Sequence, residues 1–89
     1  MSDEKLARAI RARSRRNILK ILCKRKRVSV HEIAEELNLS ESLASRHLKM
    51  LYDLRIIDSA YEPPEKFYSL KIKEIKQLFK AYDQVIKHI

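Results

Sequence analysis

The apolar residues of the chain recur three and four positions apart in five segments, which is the spacing of helices with one buried face. These segments are residues 3–13, 14–24, 30–37, 41–53 and 73–89. Before the last of them, residues 56–61 and 66–70 are rich in β-branched and aromatic residues, and Glu62-Pro63-Pro64-Glu65 separates them. Since proline cannot continue a ladder, this stretch predicts a turn. The pattern therefore predicts a mostly α fold with one β-hairpin, in the order α-α-α-α-β-β-α.

Serine residues mark three of the predicted helix starts. Ser14 and Ser40 are expected N-caps, and Ser29 forms a Ser-x-x-Glu capping box with Glu32. The short turn Asn38-Leu39 joins the third helix to the fourth. Two short helices joined in this way, followed directly by a β-hairpin, are typical of a winged helix-turn-helix. Residues 24–27 form a run of four cations, expected to be a solvated connector.

The fourth helix has two chemically different faces. Its apolar stripe consists of Ala44, Leu48 and Leu51, widened by Leu43, Met50 and Leu54. Its opposite face carries Ser42, Ser45, Arg46 and Lys49. Short hydroxyls and long cations are the groups that bind base edges and phosphates in DNA. The helix over 41–53 is therefore the predicted recognition helix.

Composition limits the other classes of protein. The chain has 89 residues, which suits one domain over residues 1–89, and it carries a net charge of +8. A core this small is often supported by dimerisation, and the charge favours a polyanionic partner. No apolar run approaches the roughly 20 residues of a membrane span, and no secretory signal or disulfide framework is present, so a cytoplasmic protein is expected. Cys23 is either a small buried hydrophobe or a redox switch. No nucleophile–base arrangement indicates an enzyme.

The recognition segment resembles that of the ArsR family of winged-helix transcriptional repressors. The residues that carry this resemblance are Leu39, Ser40, Glu41, Ser42, Ser45, Arg46, His47, Leu48, Lys49 and Leu51. Residues 14–19 resemble the family's second-helix opening, 29–37 its scaffold helix and 66–70 its second wing strand. The resemblance covers roughly residues 6–72, and it implies a homodimer joined through its first and last helices, here residues 1–13 and 73–89.

The chain also departs from the family's pattern at several positions. Many members sense metal through a Cys-x-Cys pair, and Ser29 and His31 stand at those positions here. Asp83 and His88 are present in the last helix, but the remaining spacing does not fit the family's other metal site. We therefore predict no metal site, no cofactor and no small-molecule ligand. The turn Glu62-Pro63-Pro64-Glu65 stands where the family has the tip of its wing. Its acidic side chains disfavour deep insertion of this wing tip into a DNA groove.

Eight residues are the candidate DNA contacts: Ser40, Glu41, Ser42, Ser45, Arg46, His47, Lys49 and Lys66. Arg46 suits bidentate binding to guanine, and Lys49 suits a phosphate. Ser40 is more simply a cap, and Ser42 and Ser45 are either DNA donors or plain surface serines. Glu41 either accepts from cytosine or complements the helix dipole. His47 is either a DNA contact, as the resemblance implies, or a partly buried structural residue.

The resulting hypothesis is a homodimeric, sequence-specific regulator of transcription, a repressor that binds a palindromic operator in double-stranded DNA. Two alternatives remain open at this point. One is an architectural protein that coats DNA without sequence preference, and the other is a winged helix that docks another polypeptide.

Overall fold

A computed structural model describes residues 2–89, and it contains five helices and three strands within that range. The elements are α1 Asp3–Arg11, α2 Arg13–Lys24, β1 Val28–Ser29, α3 Val30–Leu37, α4 Glu41–Asp53, β2 Ile57–Glu62, β3 Glu65–Leu70 and α5 Ile75–Lys87. The predicted winged helix-turn-helix is confirmed. The predicted order was wrong in one respect, because it omitted β1. A two-residue strand is too short to show alternation, and its pairing depends on residues far along the chain.

The sheet is antiparallel, with strand order β1-β3-β2. The hairpin register runs from Ile57 opposite Leu70 to Glu62 opposite Glu65, so Pro63 and Pro64 alone form its turn. β1 pairs with the other edge of β3, where Val28 lies opposite Tyr68. The wing is thereby attached to the segment that leads into α3.

The break between α1 and α2 lies at Ala12, whose backbone is extended (φ −83°, ψ 133°). The prediction of Ser14 as an N-cap was wrong, since α2 begins at Arg13 and Ala12 provides no side-chain cap. The end of α1 is instead capped from α2. Arg15 and Arg16 donate to its last four carbonyl oxygens, those of Arg8, Ala9, Ile10 and Arg11. These are the acceptors that a helix end leaves unsatisfied.

The core lies where α2, α3 and α4 pack against the sheet. Its largest fully buried side chains are Ile18, Leu19, Leu22, Val28, Ile33, Leu48, Leu51, Ile56 and Ile57. The capping box of Ser29 and Glu32 is present at the start of α3, as predicted. Met50 was wrongly assigned to the apolar stripe of α4. It lies at the edge of that stripe and is 37% exposed.

The apolar stripe of α5 is covered only in its first half. Ile75 and Phe79 are buried, but Val85 and Ile86 are 60% and 50% exposed. A groove of about 320 Å³ adjoins the first half, lined by Leu6, Ile56, Ile72, Glu74, Ile75 and Leu78. The chain therefore leaves apolar surface from α1 and α5 in contact with solvent.

Candidate nucleic-acid interface

The start of α4 is fixed by its cap and by the turn before it. Asn38 adopts the left-handed conformation (φ 55°) that ends α3, which asparagine tolerates better than most residues. The Ser40 hydroxyl oxygen accepts from the Leu43 amide at 3.0 Å. The predicted cap is confirmed, and α4 is held against α3 as the second helix of the helix-turn-helix.

The polar face of α4 is exposed to solvent at Ser42, Ser45, Arg46 and Lys49. Lys49 forms an ion pair with Asp53 at 3.0 Å. Both of these side chains are largely exposed, so the pair is weak and its lysine can exchange partners at small cost. Within residues 2–89, Arg46 forms no ion pair. Arg46 is also exposed and makes no side-chain hydrogen bond among these residues, so its guanidinium donors are available for an acceptor.

Glu41 has a partner that the sequence did not indicate. Nδ1 of His31 lies 3.2 Å from Oε2 of Glu41, and Nε2 of His31 lies 3.4 Å from Oε2 of Glu35. Only a doubly protonated ring donates at both nitrogens. The hydrogen bond to Glu41 raises the pKa of His31, and the charges of Glu41, Glu35 and Glu65 act in the same direction.

His47 lies partly buried on the edge of α4, with its Nδ1 3.5 Å from Nη1 of Arg15. Burial lowers the pKa of His47, and the positive charges of Arg15 and Arg46 lower it further. Both effects favour the neutral form of the ring. The structure agrees with partial burial, one of the two predicted roles, and leaves the DNA contact a prediction.

The wing is fastened by Arg27, which forms a two-pronged ion pair with Glu62. The guanidinium carbon of Arg27 also lies 4.0 Å from the centre of the Phe67 ring, a cation–π contact. The hydrogen bond from Arg27 lowers the pKa of Glu62. The ion pair with Arg27 thus already neutralises Glu62, one of the acidic groups at the wing tip. The exposed Lys66 lies nearby on β3.

The cationic connector, residues 24–27, is exposed as predicted but is not merely solvated. Arg25 pairs with Glu36 at 2.6 Å, in addition to the pairing of Arg27 with Glu62. Lys24, the first of the four cations, is the last residue of α2, so the predicted connector begins one residue too early. The prediction missed these ion pairs because both carboxylates are distant in the sequence, and only the fold brings them near the two arginines.

The residues at the family's metal positions have other roles here. Ser29 is buried in the capping box, and Asp83 pairs with Lys20 at 3.1 Å. Within residues 2–89, no three side chains of His, Cys, Asp or Glu are arranged to hold a metal ion. Burial raises the pKa of the Cys23 thiol, and the nearby Lys76 opposes this only in part.

Arg15 is the site residue that sequence reasoning missed. It is only 8% exposed and lies between α1 and α4. A signal for it was available. Arg15 stands at the apolar spacing of α2, three and four positions before Ile18 and Leu19. A cation on the inner face of a helix indicates buried acceptors nearby.

These elements define the class of the protein: a winged helix-turn-helix whose second helix presents hydroxyls and cations to solvent. The family is shown by sequence as well. The chain belongs to the arsR family of bacterial regulatory proteins, whose model matches residues 13–59. The protein is therefore a DNA-binding transcription regulator of the winged helix-turn-helix type.

Similar solved structures agree with this assignment. HlyU from Vibrio cholerae N16961 is 27% identical with a TM-score of 0.82, and the match covers 96% of this chain and 97% of that one. The homodimeric winged helix-turn-helix DNA-binding domain of Mb0332 from Mycobacterium bovis is 20% identical with a TM-score of 0.83, covering 98% and 88%. The transcriptional repressor BigR from Xylella fastidiosa is 20% identical with a TM-score of 0.84, covering 92% and 83%. The last two show the fold alone.

The comparison with curated protein sequences found no match. Across residues 2–89, no helix combines the length and the apolar character needed to span a membrane.

Proposed function

We propose that this protein is a repressor that binds a palindromic operator as a homodimer, with α4 in the major groove. The observation that supports this most strongly is the outer face of α4, where Arg46 has no ion-pair partner among the described residues and two serines flank it. A face of this kind, left free by the fold, fits base edges and phosphates. The proposed location is the cytoplasm, where a bacterial regulatory protein has access to DNA.

The eight predicted contacts have different proposed roles. Arg46 binds guanine, Ser42 and Ser45 donate to bases or phosphates, and Lys49 binds phosphate after leaving Asp53. Ser40 caps the helix and presents its hydroxyl proton to the backbone of DNA. Lys66 binds phosphate from the wing, while Glu41 accepts from a base or stays with His31. His47 donates from the edge of the helix.

The dimer is proposed to form through α1 and α5, within residues 1–13 and 73–89. The uncovered groove between these helices and the exposed Val85 and Ile86 support this arrangement. Two copies carry twice the charge of +8, which suits a polyanion. In helix-turn-helix dimers the half-sites lie about 34 Å apart, one turn of DNA.

Selection of bound sequences from a random duplex pool tests this proposal. We expect an inverted repeat with half-sites about 10 base pairs apart to be enriched, and a footprint confined to it. Uniform coating without enrichment would instead indicate an architectural protein. Failure to retard any duplex would indicate a winged helix that docks another polypeptide.

A further inference from the structure

Arg15 occupies an unusual place for an arginine, since it is buried on the inner face of α2. Its Nε lies 3.2 Å from the carbonyl oxygens of both Arg8 and Ala9, and its Nη2 donates to Arg8 at 2.6 Å. These bonds fix the plane of the guanidinium. The remaining nitrogen, Nη1, is the one that lies 3.5 Å from Nδ1 of His47.

The contact with Arg15 defines which nitrogen of the His47 ring carries the proton. A guanidinium has donors only, so Nδ1 of His47 must be the acceptor and the ring proton must lie on Nε2. The two ring nitrogens point in different directions, and the Nε2 edge is therefore turned away from Arg15. The charged groups that act on the ring are Arg15 of α2 and Arg46 of α4 itself, while Arg8 and Arg11 of α1 act on Arg15.

We propose that Arg15 is a positioning residue that orients the His47 ring, so that its Nε2–H is an outward donor to DNA. The same side chain is bonded to the end of α1, so it joins the N-terminal helix to the recognition helix. A change in the position of α1 is then transmitted to a group that binds DNA. This inference rests on the proposed function of α4.

The chain offers a matched control in Arg16. Its Nη1 donates to the carbonyl oxygens of Ile10 and Arg11 at 2.7 and 2.8 Å, so it caps the same end of α1. Its hydrogen bonds in the described chain go to α1 and not to α4. Loss of Arg16 therefore weakens the helix end without touching His47.

The first test is a double-mutant cycle on the duplex that the wild-type protein selects. Arg15→Met is expected to weaken binding about tenfold, and Arg16→Met less than about twofold. In a His47→Ala background, Arg15→Met should add no further loss beyond about twofold. Equal losses for the two arginine variants, or a full Arg15 effect without His47, would show that Arg15 only supports α1.

The second test uses the free protein and no DNA. Titration of the His47 ring by NMR is expected to show its pKa rising in Arg15→Met and staying low in Arg16→Met and Arg15→Lys. An unchanged pKa in Arg15→Met would overturn the proposal. The NMR titration tests the contact between Arg15 and His47 without DNA. The proposed function is tested separately, and it fails if the wild-type protein selects no duplex, even when the His47 titration behaves as expected.

A third pair of variants leaves Arg15 in place and covers the case in which Arg15→Met does not fold. His47→Gln puts an amide donor near the position of Nε2, and His47→Asn puts one near Nδ1. We expect glutamine to retain most of the affinity and asparagine to lose as much as alanine. The reverse order would contradict an outward Nε2–H donor.

Discussion

His31 and Glu41 join the first turn of α3 to the first residue of α4, with 3.2 Å between Nδ1 and Oε2. The contact lies next to the wing, where Pro64, Glu65 and Lys66 line the same small cleft. Three acidic groups, Glu41, Glu35 and Glu65, raise the pKa of His31 above its ordinary value of 6.5. Protonated His31 therefore reduces the negative charge at the edge of the proposed DNA-binding face.

The first prediction concerns stability and pH. Because its pKa is raised in the folded protein, His31 contributes stability that is fully present below pH 6.5 and is lost as pH rises through its folded pKa. His31→Gln should remove this loss. Urea denaturation of both proteins between pH 5.5 and 8.5 measures it, and parallel pH curves for the two would contradict it.

His47 provides the opposite case, because its pKa is lowered in the folded protein. Its contribution to stability is present above pH 6.5 and is lost as pH falls through its folded pKa. His47→Gln should therefore lessen the decline in stability on acidification, in the same urea series. A steeper acid decline in this variant would contradict the low pKa.

The second prediction concerns the dimer. Val85→Glu or Ile86→Glu should separate the protomers, because a charge without a partner in an interface costs about 3–5 kcal/mol. Val85 is 60% and Ile86 is 50% exposed in the single chain. Neither substitution places a charge in the core of the monomer, so circular dichroism should show that the monomer stays folded. Gln84→Glu, on the same turn, is the control. Sedimentation gives the answer, and dimers in both variants would place the interface elsewhere.

The third prediction concerns backbone strain. Arg55 has φ 65°, a left-handed conformation that costs a residue with a Cβ about 1–2 kcal/mol. Part of the gain from Arg55→Gly is lost to the greater freedom of the unfolded chain, so we expect up to about 1 kcal/mol of added stability in urea. Asn38→Gly is the comparison, and it should gain less because asparagine tolerates this conformation. A loss of stability in Arg55→Gly would show that its side chain makes a contact worth more than the strain.

Local patterns in the sequence predicted what local physics determines. The five helices, the hairpin, the Ser40 cap and the capping box at Ser29 all depend on residues within a few positions of one another. β1, the ion pair of Arg27 with Glu62 and the place of Arg15 depend on chain folding over long separations. Ser14 failed as a cap for a local reason, because α2 begins one residue earlier, at Arg13, and Ser14 lies inside the helix.

The fourth prediction concerns the electrostatic part of DNA binding. Each phosphate neutralised by a lysine or arginine releases counterions, which gives a slope of about −0.9 per contact in a plot of log affinity against log salt. The charge of +8 and the cationic face of α4 predict a steep fall between about 50 and 200 mM salt. Titration of a duplex at four salt concentrations measures the slope, and a flat line would contradict a phosphate-binding surface.

The last prediction separates two cations on one helix face. Arg46 lies nearer the start of α4, the part of a recognition helix that contacts base edges, and its planar fork suits bidentate binding. Lys49 lies one turn on, beside Asp53, and acts as a point charge. Arg46→Ala should cost about 1–3 kcal/mol on the selected duplex and flatten discrimination at one base position, whereas Lys49→Ala should weaken all duplexes alike.

A selected and a scrambled duplex, each titrated with both variants, distinguish these roles. Lys49→Ala should also reduce the salt slope by about one contact on both duplexes. Asp53→Ala is the control for Lys49, because it frees the lysine without removing it and should not weaken binding. If Arg46→Ala loses equal affinity on the two duplexes, Arg46 binds phosphate. Specificity would then come from Ser42, Ser45 or the shape of the DNA.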